Sequence, residues 1–277
     1  MFNQLEILSD EQSEKLYAIR RYIKNLDSAC IAYSGGVDST LVASLAFEQL
    51  GSKAIAITGV SPALATTLRE EARSQAKWIG VKHLEIKTSE LEQSSYSKNP
   101  IDRCFACKKE LHKHTTYLSK KLNYKIVLDG VNLDDLKDFR PGIKAAKQAG
   151  VISPLAKFKF SKKDIRDISR ALGFPWWDKP AQPCLSSRFP YGHEITSERL
   201  KMVEKAQEYL KDGGLSEVRV RCQGSTARIE IPKDELKYFF KKFNFEDLVQ
   251  YFSHLGFNCT SLDLEGLISG KLNRRNL

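Results

Sequence analysis

A run of glycines and hydroxyl residues near the start of the chain has the composition of a phosphate-binding loop. It reads Ser34-Gly35-Gly36-Val37-Asp38-Ser39 and lies between a strand-like and a helix-like segment. Glycines allow a tight turn, while hydroxyls, backbone N–H groups and a helix N-terminus suit a phosphate anion. The run lacks the Gly-Lys-Ser/Thr ending of a Walker loop. We expect all six residues to bind a nucleotide, with Asp38 as a catalytic residue that serves Mg²⁺ or pyrophosphate.

Three cysteines form a second group that could do chemistry. Cys104 and Cys107 are three residues apart in DRCFACK, and Cys184 stands in PCLSSRFPYG. Three thiolates can ligate a [4Fe-4S] cluster and leave one iron open to carry a sulfide. Zinc is the chief alternative, because His112 and His114 follow closely. A CxxC pair without any metal or catalytic role is also open, since buried cysteines often act as small hydrophobes.

The remaining cysteines have a different context. Cys30, Cys222 and Cys259 lie in apolar, strand-like segments. We interpret them as inert residues rather than ligands.

Arginines in the second half of the chain are candidates for binding an acidic substrate. Guanidinium groups match carboxylate and phosphate oxygens bidentately. Our candidates are Arg188, Arg219 and Arg221, of which the last two share one face of a predicted strand and could equally form a solvent face. Ser187 could donate to a phosphate in the same pocket or simply form a turn.

Composition places the chain among soluble globular proteins. It has 277 residues, of which 42% are hydrophobic and 28% charged, values that argue against disorder and against a disulfide scaffold. No apolar run approaches the roughly 18 residues that cross a bilayer, and the N-terminus lacks a basic stretch followed by an apolar core. We predict a cytoplasmic protein without membrane contact, whose thiols are reduced.

The formal net charge of +10 favours anionic partners such as nucleotides, phosphorylated small substrates or RNA. The lysine-rich segments 157–163 and 241–242 are interpreted as solvated faces. We therefore expect a small-molecule nucleotide substrate, while tRNA stays open as an alternative partner.

The segments that position these residues alternate between strand and helix. Strand-like runs are predicted at 29–33, 54–58, 83–86 and 126–129, with helices at 9–26, 66–79, 109–122 and after the glycine loop. This alternation predicts a parallel sheet, and such sheets bind ligands beyond the carboxyl ends of their strands. We expect Thr58, Ser61 and Gly130 to join the glycine loop in one crevice that binds the nucleotide.

The pattern changes after about residue 190. A helix near 198–210 precedes two alternating strands, 218–221 and 227–231, with a turn at 223–226. Two helical segments and a strand at 261–264 follow. The chain is thus predicted to be α/β, with a parallel-sheet domain over 1–185 and a smaller α+β domain over 186–277 for substrate binding or oligomerisation.

The glycine loop resembles the signature of the PP-loop, or N-type ATP pyrophosphatase, superfamily. The resemblance implies that ATP is split between its α and β phosphates. A substrate oxygen attacks the α-phosphate, pyrophosphate leaves, and a nucleophile then displaces AMP.

Several motifs in order resemble one family within that superfamily. They are SGGVDS, DRCFACKKEL, Leu128-Asp129-Gly130 with Asp138-Phe139-Arg140-Pro141-Gly142, PCLSSRFPYG, VRVR and ARIEIP. Together they closely resemble LarE, the family that makes the nickel-pincer nucleotide cofactor of lactate racemase and related enzymes. The likeness runs along almost the whole chain.

The resemblance implies a specific reaction. The substrate would be pyridinium-3,5-biscarboxylic acid mononucleotide, whose carboxylates are adenylated and converted to thiocarboxylates by an ATP-dependent sulfurtransferase. AMP and pyrophosphate would be released, and ATP and Mg²⁺ would be required. A homo-oligomer of trimeric character is implied as well.

The source of sulfur divides the family. Some members sacrifice a single cysteine, which becomes dehydroalanine, whereas members with three cysteines resemble this chain and use an iron–sulfur cluster. The sacrificial cysteine lies one position earlier relative to SSRFPYG, where this chain has Pro183, and Cys184 takes the neighbouring place. We therefore predict that Cys104, Cys107 and Cys184 hold a cluster, with a sacrificial Cys184 as the alternative.

Three other functions stay open. A [4Fe-4S]-dependent tRNA thiolase would use the same adenylation but needs an RNA-binding module, and no zinc-ribbon cysteines or aromatic-rich basic module are present. A nucleotide- or cluster-binding sensor would not turn over. Amidation by ammonia would leave the thiols without a task.

Overall fold

The computed structural model describes residues 2–138, 140–268 and 270–271. Within these ranges the helices are α1 Asp10–Lys24, α2 Val37–Leu50, α3 Thr66–Ile79, α4 Ser94–Ser97, α5 Arg103–Lys121, α6 Pro141–Gln148, α7 Pro154–Lys157, α8 Lys162–Ala171, α9 Ser197–Asp212, α10 Leu236–Lys242 and α11 Phe245–His254. The strands are β1 Ala29–Ala32, β2 Ala54–Val60, β3 Lys82–Lys87, β4 Ile126–Leu128, β5 Arg219–Gln223, β6 Thr226–Glu230 and β7 Cys259–Leu262.

The chain separates into two compact units. Unit 1 comprises Met1–Glu90 and Asp102–Gln182, and unit 2 comprises Leu91–Ile101 and Pro183–Leu277. The change of unit after Gln182 falls three residues before the boundary that we placed after residue 185. Residues 91–101 belong to unit 2, although the sequence analysis placed them in the first domain.

Unit 1 contains a four-stranded parallel sheet in the order β3-β2-β1-β4. Every residue of β1 is buried, as expected for a central parallel strand that helices cover on both faces. Leu41, Leu45 and Ala56 belong to the same core, each with none of its surface exposed. The predicted α/β fold with a parallel sheet is confirmed, and it is consistent with the PP-loop domain that the resemblance implied.

The ends of two helices in unit 1 follow from local sequence signals. Ser9 caps α1 in a capping box, in which its side chain and that of Gln12 each accept from the other's backbone N–H. Gly80 ends α3 in the left-handed conformation, with a φ of 85°. Both helices match the predicted ranges closely.

One helix begins earlier than its pattern indicated. The sequence predicted a helix over 109–122, but α5 begins at Arg103, so the CxxC pair lies within its first two turns. Asp102 stands at the N-cap without a side-chain capping bond. Aspartate is a residue type that favours the N-cap, so the sequence carries a start signal at Asp102 although the capping hydrogen bond is not formed.

Unit 2 contains a three-stranded sheet in the order β5-β6-β7. Strands β5 and β6 form the predicted antiparallel hairpin, in which Gln223 pairs with Thr226 and Gly224 has a φ of 61°. Strand β7 pairs parallel to β6. This is the second, smaller sheet that the sequence predicted.

Buried hydrogen bonds explain why segment 91–101 belongs to unit 2. The Tyr96 hydroxyl lies 2.6 Å from Ser186 Oγ, and Asn99 Nδ2 donates to the Pro190 carbonyl over 2.7 Å. Ile195 N donates to the Ser97 carbonyl over 2.8 Å. The segment is thus fixed to residues 186–195 by side chains and backbone together.

No helix in the part of the chain that the structure describes combines the length and the apolar character needed to span a bilayer.

Candidate functional site

The glycine loop connects β1 to the N-terminus of α2. Ser39 Oγ accepts from Ser34 N over 3.2 Å and donates to the Gly36 carbonyl over 3.1 Å, so one hydroxyl closes the turn. Gly36 is the N-cap of α2 and supplies no side-chain capping bond. The loop therefore offers first-turn N–H groups and the exposed Ser34 at a helix N-terminus, an arrangement that suits a phosphate.

Two glycines are required by close packing of backbone. Gly35 has a φ of 71°, and a Cβ there would lie 2.9 Å from the Cβ of Ala72 in α3. A Cβ on Gly130 would lie 2.7 Å from the backbone nitrogen of Ser39. Gly130 follows β4, so this contact brings the carboxyl end of β4 against the glycine loop, as the sequence predicted.

Asn132 binds the loop aspartate from the β4 side. Its Nδ2 donates to Asp38 Oδ1 over 3.2 Å. The Asn132 side chain is fully buried and is held by Asp135, since Asn132 Oδ1 accepts from Asp135 N over 3.0 Å and Asp135 Oδ2 accepts from Asn132 N over 3.3 Å. The two residues thus form a reciprocal turn that orients the amide towards Asp38.

Carboxylates and cations are both concentrated around Asp38. Burial raises the pKa of Asp38, and the negative charge of Asp135 raises it further, while the Asn132 hydrogen bond and the charges of Lys162 and Arg140 oppose the shift. Arg140 Nη2 lies 3.0 Å and Lys162 Nζ 3.7 Å from Asp135 Oδ1. These two cations are therefore close enough to serve the phosphates of a nucleotide held by the loop.

The donor set at Asp38 fits a magnesium ion that is completed by phosphate oxygens. Mg²⁺ is usually held by one or two carboxylates together with substrate phosphates and water. Asp38 and Asp135 provide two carboxylates whose mutual repulsion a cation would relieve. Asp38, which belongs to the glycine loop, is half-buried, whereas Asp135 is buried.

The two predicted site residues at the end of β2 differ in their surroundings. The Thr58 hydroxyl donates to the Tyr33 carbonyl over 2.9 Å, so the 2.8 Å contact with His83 Nε2 requires the imidazole to donate. Thr58 is thus engaged within the fold. Ser61 lies beyond the strand, and its hydroxyl donates to Glu90 Oε1 over 2.6 Å.

The CxxC pair lies at the beginning of α5 in unit 1. Cys104 is exposed and Cys107 is half-buried. Residues three apart on a helix are neighbours on its surface, so Cys104 and Cys107 lie on one side of the first two turns of α5. Two accessible thiols in this spacing suit a shared soft metal centre.

The histidines considered for zinc lie in separate environments on the same helix. His112 is 1% exposed, and neither ring nitrogen has a hydrogen-bond partner among the described residues. His114 Nε2 lies 2.8 Å from Glu110 Oε1. Within unit 1, the described residues contain no group of three or more His, Cys, Asp or Glu placed for one metal ion, and this holds for the CxxC pair as well as for the two histidines.

In unit 2, Cys184 begins a short 3₁₀ turn, Leu185–Arg188. Its thiol is exposed. Its carbonyl accepts from Ser187 N over 3.0 Å and from Ser187 Oγ over 2.8 Å. The one proton of the Ser187 hydroxyl is therefore engaged in the turn, which is the turn role that we considered for Ser187.

Arg188 supports the same turn from inside unit 2. It is 7% exposed, and its Nη1 donates to the Pro183 carbonyl over 3.2 Å and to Ser187 Oγ over 2.6 Å. Its Nε donates to Gln207 Oε1 over 2.9 Å. The guanidinium thus binds the backbone before Cys184 and the Ser187 side chain after it.

The three predicted arginines lie together. Burial, together with the positive charges of Arg219 and Arg221, lowers the pKa of Arg188 to about 10. Burial also lowers the pKa of Arg219, followed by the charge of Arg221. A group of mutually repelling guanidinium groups is stabilised by an anion, so this cluster suits a phosphate or carboxylate.

The partners of these arginines differ. Arg221 Nε donates to Glu230 Oε2 over 2.9 Å and Nη1 donates to the Ser187 carbonyl over 2.6 Å. Glu230 is fully buried and also accepts from Arg228 over 3.0 Å. Arg219 makes no ion pair or side-chain hydrogen bond within the described residues. It is therefore the cation best placed to accept an incoming anion.

The other three cysteines differ in burial. Cys30 and Cys222 are buried, as expected of inert residues, but Cys259 is exposed. Cys259 is the first residue of β7, where it pairs with Thr226 at the end of the hairpin. An apolar sequence context did not indicate burial there, because the strand is short and lies at the edge of its sheet.

Sequence reasoning missed Asn132 and Asp135 as individual site residues. Their i, i+3 spacing after a strand, with a side-chain acceptor at each position, is a detectable signal of a reciprocal turn. Lys162 and Arg140 carried no such local signal. Phe139, part of the motif around Arg140, lies outside the described residues.

Comparisons with known proteins identify relatives over most of the chain. The chain is 52% identical over 260 residues to an uncharacterized protein of Synechocystis, covering 94% of this chain and 97% of the relative. It is 34% identical over 253 residues to the pyridinium-3,5-bisthiocarboxylic acid mononucleotide synthase of Lactiplantibacillus plantarum, covering 91% of each. An uncharacterized protein of Methanocaldococcus jannaschii is 34% identical over 235 residues, covering 85% of this chain and 88% of the relative. No protein-family model matches the chain.

Proposed function

Since the chain belongs to the LarE family, we propose that it is an ATP-dependent sulfurtransferase that acts in the biosynthesis of the nickel-pincer cofactor. The observation that carries the proposal is the 34% identity, over 91% of both chains, to a pyridinium-3,5-bisthiocarboxylic acid mononucleotide synthase. The substrate would be the corresponding biscarboxylic acid mononucleotide. Each carboxylate would be adenylated and then converted to a thiocarboxylate.

The glycine loop would bind ATP in the first step. The Ser34 hydroxyl and the backbone N–H groups in the first turn of α2, including that of Ser39, would supply donors for the phosphates, because the Ser39 hydroxyl itself donates to the Gly36 carbonyl. Asp38, oriented by Asn132, would hold Mg²⁺ together with phosphate oxygens. Arg140 and Lys162 lie near this carboxylate and would neutralise the departing pyrophosphate, taking the place of the absent Walker lysine.

In that step ATP supplies both the adenylyl group that is transferred and the pyrophosphate that leaves. A carboxylate oxygen of the substrate forms a bond to the α-phosphorus, the bond between the α-phosphorus and the bridging oxygen breaks, and pyrophosphate leaves with its electron pair. The acyl adenylate is then open to a sulfur nucleophile, which displaces AMP. Each oxygen replaced therefore consumes one ATP.

The arginine cluster of unit 2 would bind the acidic mononucleotide substrate. Arg219 has no competing ion pair among the described residues, and Arg188 and Arg221 are preorganised by Gln207 and Glu230. Preorganised guanidinium groups bind a phosphate without the cost of ordering flexible side chains. The substrate phosphate is the group best matched to this cluster.

Cys104, Cys107 and Cys184 are the proposed ligands of a [4Fe-4S] cluster. Their thiols are exposed or half-buried, and three thiolates are the donor set that leaves one iron without a protein ligand. Such a cluster would supply sulfide at its open iron. A sacrificial Cys184 is the alternative, and it would leave dehydroalanine at that position after turnover.

The function is tested with protein prepared without oxygen. Incubation with ATP, Mg²⁺ and the biscarboxylic acid mononucleotide should release AMP and pyrophosphate in equal amounts, and mass spectrometry should detect sulfur in place of oxygen in the product. Parallel reactions contain unmodified tRNA, ammonia or no acceptor. Thiolated tRNA would support the thiolase alternative, an amide product would support the ligase, and the absence of turnover with every acceptor would support a sensor.

The sulfur source is tested by metal analysis. The native chain should contain about four irons and four acid-labile sulfides, and Cys184→Ala should lose them, whereas Cys259→Ala, which removes another exposed thiol, should keep them. Metal-free native protein with dehydroalanine at position 184 after turnover would refute the cluster. Stoichiometric zinc would point to a structural site instead.

A further inference from the structure

A buried carboxylate lies at the edge of the parallel sheet, and the mechanism above does not use it. Glu90 is 3% exposed. Its Oε1 accepts the proton of the Ser61 hydroxyl over 2.6 Å, while its Oε2 has no hydrogen-bond partner among the described residues. A buried acceptor without a donor is costly, so a ligand that supplies a donor would be stabilised here.

The position of Glu90 follows from the ends of two neighbouring strands. Ser61 is the first residue after β2 and Glu90 the third after β3. Thr88 N donates to the Val60 carbonyl over 3.1 Å, which continues the pairing of these strands towards Glu90. The Ser61 hydroxyl also accepts from Ala63 N over 3.3 Å. The carboxylate is therefore fixed above the carboxyl ends of β2 and β3.

The proposed phosphate site lies at the other side of the same edge. The glycine loop follows β1, and Asn132 and Asp135 follow β4, which is the outer neighbour of β1. If the phosphates of a nucleotide bind there, its nucleoside extends over β2 towards β3. The distance from β1 to β3 is two strand spacings, roughly 10 Å, which an adenosine covers from its 5′ oxygen to its base.

The chemistry of the purine base distinguishes the possible occupants. Adenine carries a 6-amino group, which donates, whereas guanine and hypoxanthine carry a 6-oxo group, which accepts. A 6-oxo group facing Oε2 would place two acceptors against each other, so a 6-oxopurine could pair with the carboxylate only by shifting to present its N1–H. With the base held in the position that adenine takes, the site therefore selects for a donor at position 6.

We propose that Glu90, held by Ser61, accepts a hydrogen bond from the 6-amino group of ATP and makes the nucleotide site specific for adenine. The proposal rests on the proposed function, in which the glycine loop binds ATP. It assigns a specificity-determining residue to the base, separate from the groups that hold the phosphates.

Equilibrium binding of nucleotide analogues tests the assignment. Calorimetry with the full chain and Mg²⁺, without the acid substrate, compares ATP, ITP, 2′-deoxy-ATP and pyrophosphate. The native chain should bind ATP at least about tenfold more tightly than ITP, because a site built for a donor rejects an analogue that lacks it. In Glu90→Gln the side-chain amide can turn its NH₂ group to the 6-oxo oxygen, so the preference for ATP over ITP should fall about tenfold. Binding of pyrophosphate should not change.

The matched control is Glu92→Gln, the same substitution at an exposed glutamate two residues away. It should retain the native preference, and thermal unfolding should show that both variants are folded. An unchanged ATP/ITP ratio in folded Glu90→Gln overturns the inference. A native chain that binds ATP and ITP equally overturns it without any variant.

Two further results are distinguishable from these. Glu90→Gln could instead bind 2′-deoxy-ATP as tightly as ATP while it still prefers ATP to ITP. In that case Glu90 contacts the ribose, and the assignment to the base is wrong. A native chain that binds neither nucleotide nor pyrophosphate refutes the proposed function and this inference together.

Discussion

Asn132 Nδ2 donates to Asp38 Oδ1 over 3.2 Å, although the two residues are 94 positions apart. The contact joins the turn after β4 to the glycine loop after β1, and β1 and β4 are adjacent in the sheet. Asn132 is itself oriented by Asp135. The loop aspartate is thus positioned by an amide rather than by another charge.

Asn132→Asp should impair nucleotide activation. The new carboxylate cannot donate to Asp38 and adds negative charge beside Asp38 and Asp135, so the loop carboxylate loses its orientation. We expect the exchange of labelled pyrophosphate into ATP, measured with the biscarboxylic acid mononucleotide, to fall about tenfold to hundredfold. Asn123→Asp is the control, because Asn123 is exposed and its φ of 61° is tolerated by aspartate. Exchange within twofold of native in Asn132→Asp would refute the positioning role.

Gly130→Ala should destabilise unit 1 by about 1–3 kcal/mol. Its φ lies outside the left-handed region, so the effect is steric: the added Cβ would lie 2.7 Å from Ser39 N and 2.9 Å from Ser39 Cα. Urea unfolding followed by tryptophan fluorescence measures this, since Trp78, Trp176 and Trp177 all belong to unit 1.

Gly36→Ala provides the contrast for that measurement. Gly36 has a φ of −76°, and a Cβ there would meet only Ser34 Oγ, at 3.5 Å. The free energy of unfolding should be unchanged or higher by up to about 1 kcal/mol, because alanine restricts the unfolded chain. Equal destabilisation by both substitutions would contradict the packing at Gly130.

Buried His112 should make the stability of unit 1 depend on pH. Burial, together with the positive charge of Lys108, lowers the pKa of His112 from 6.5 to about 4. Between these values the unfolded chain binds a proton at this site and the folded chain does not. The free energy of unfolding should therefore decrease as pH falls from 6.5 towards 4, by up to about 1.4 kcal/mol per pH unit.

His112→Leu should remove this contribution to the pH dependence, because leucine binds no proton in either state. His114→Leu is the matched control on the same helix, at a side chain that is 39% exposed. Urea unfolding at several pH values between 5 and 7 in steps of about one unit would measure the slopes. If His112→Leu kept the native slope, the histidine would not be buried in its neutral form.

Thiol alkylation should separate the cysteines by their burial. In reduced, metal-free protein, iodoacetamide should modify the exposed Cys104, Cys184 and Cys259 first. Cys30 should be protected, because it is inaccessible and burial raises the pKa of its thiol to about 11. Peptide mass spectrometry after short exposure measures the order, and urea-unfolded protein shows that all thiols react. Modification of Cys30 as fast as Cys259 in the folded protein would contradict the structure.

Several elements could be predicted because their signals are local. The capping box at Ser9, the helical periodicity of α3 and the alternating strands of the hairpin are all encoded within short segments. The start of α5 was predicted six residues too late, although Asp102 is a residue type that favours the N-cap. Helix α8 was not predicted either, although Ser161 and Asp164 form a capping box that signals its beginning.

The candidate site was predictable to the level of segments. The carboxyl ends of parallel strands meet at one edge, so the loops after β1, β2 and β4 were expected to converge, and the contacts of Asp38 and Ser39 show that two of them do. Which hydroxyls are free was not predictable. Thr58 and Ser187 both use their protons within the fold, because nearby backbone carbonyls, positioned by tertiary packing, accept them.

The sequence by itself determined the alternation of strands and helices, the phosphate-binding composition of the glycine loop and the family resemblance, since each depends on residue types at short spacing. Only the tertiary structure decided the long-range pairs: Asn132 with Asp38, Arg188 with Gln207, and Glu90 with Ser61. The reason is physical. A buried polar group takes its partner from whatever element packs beside it, and that element is chosen by the fold rather than by proximity along the chain.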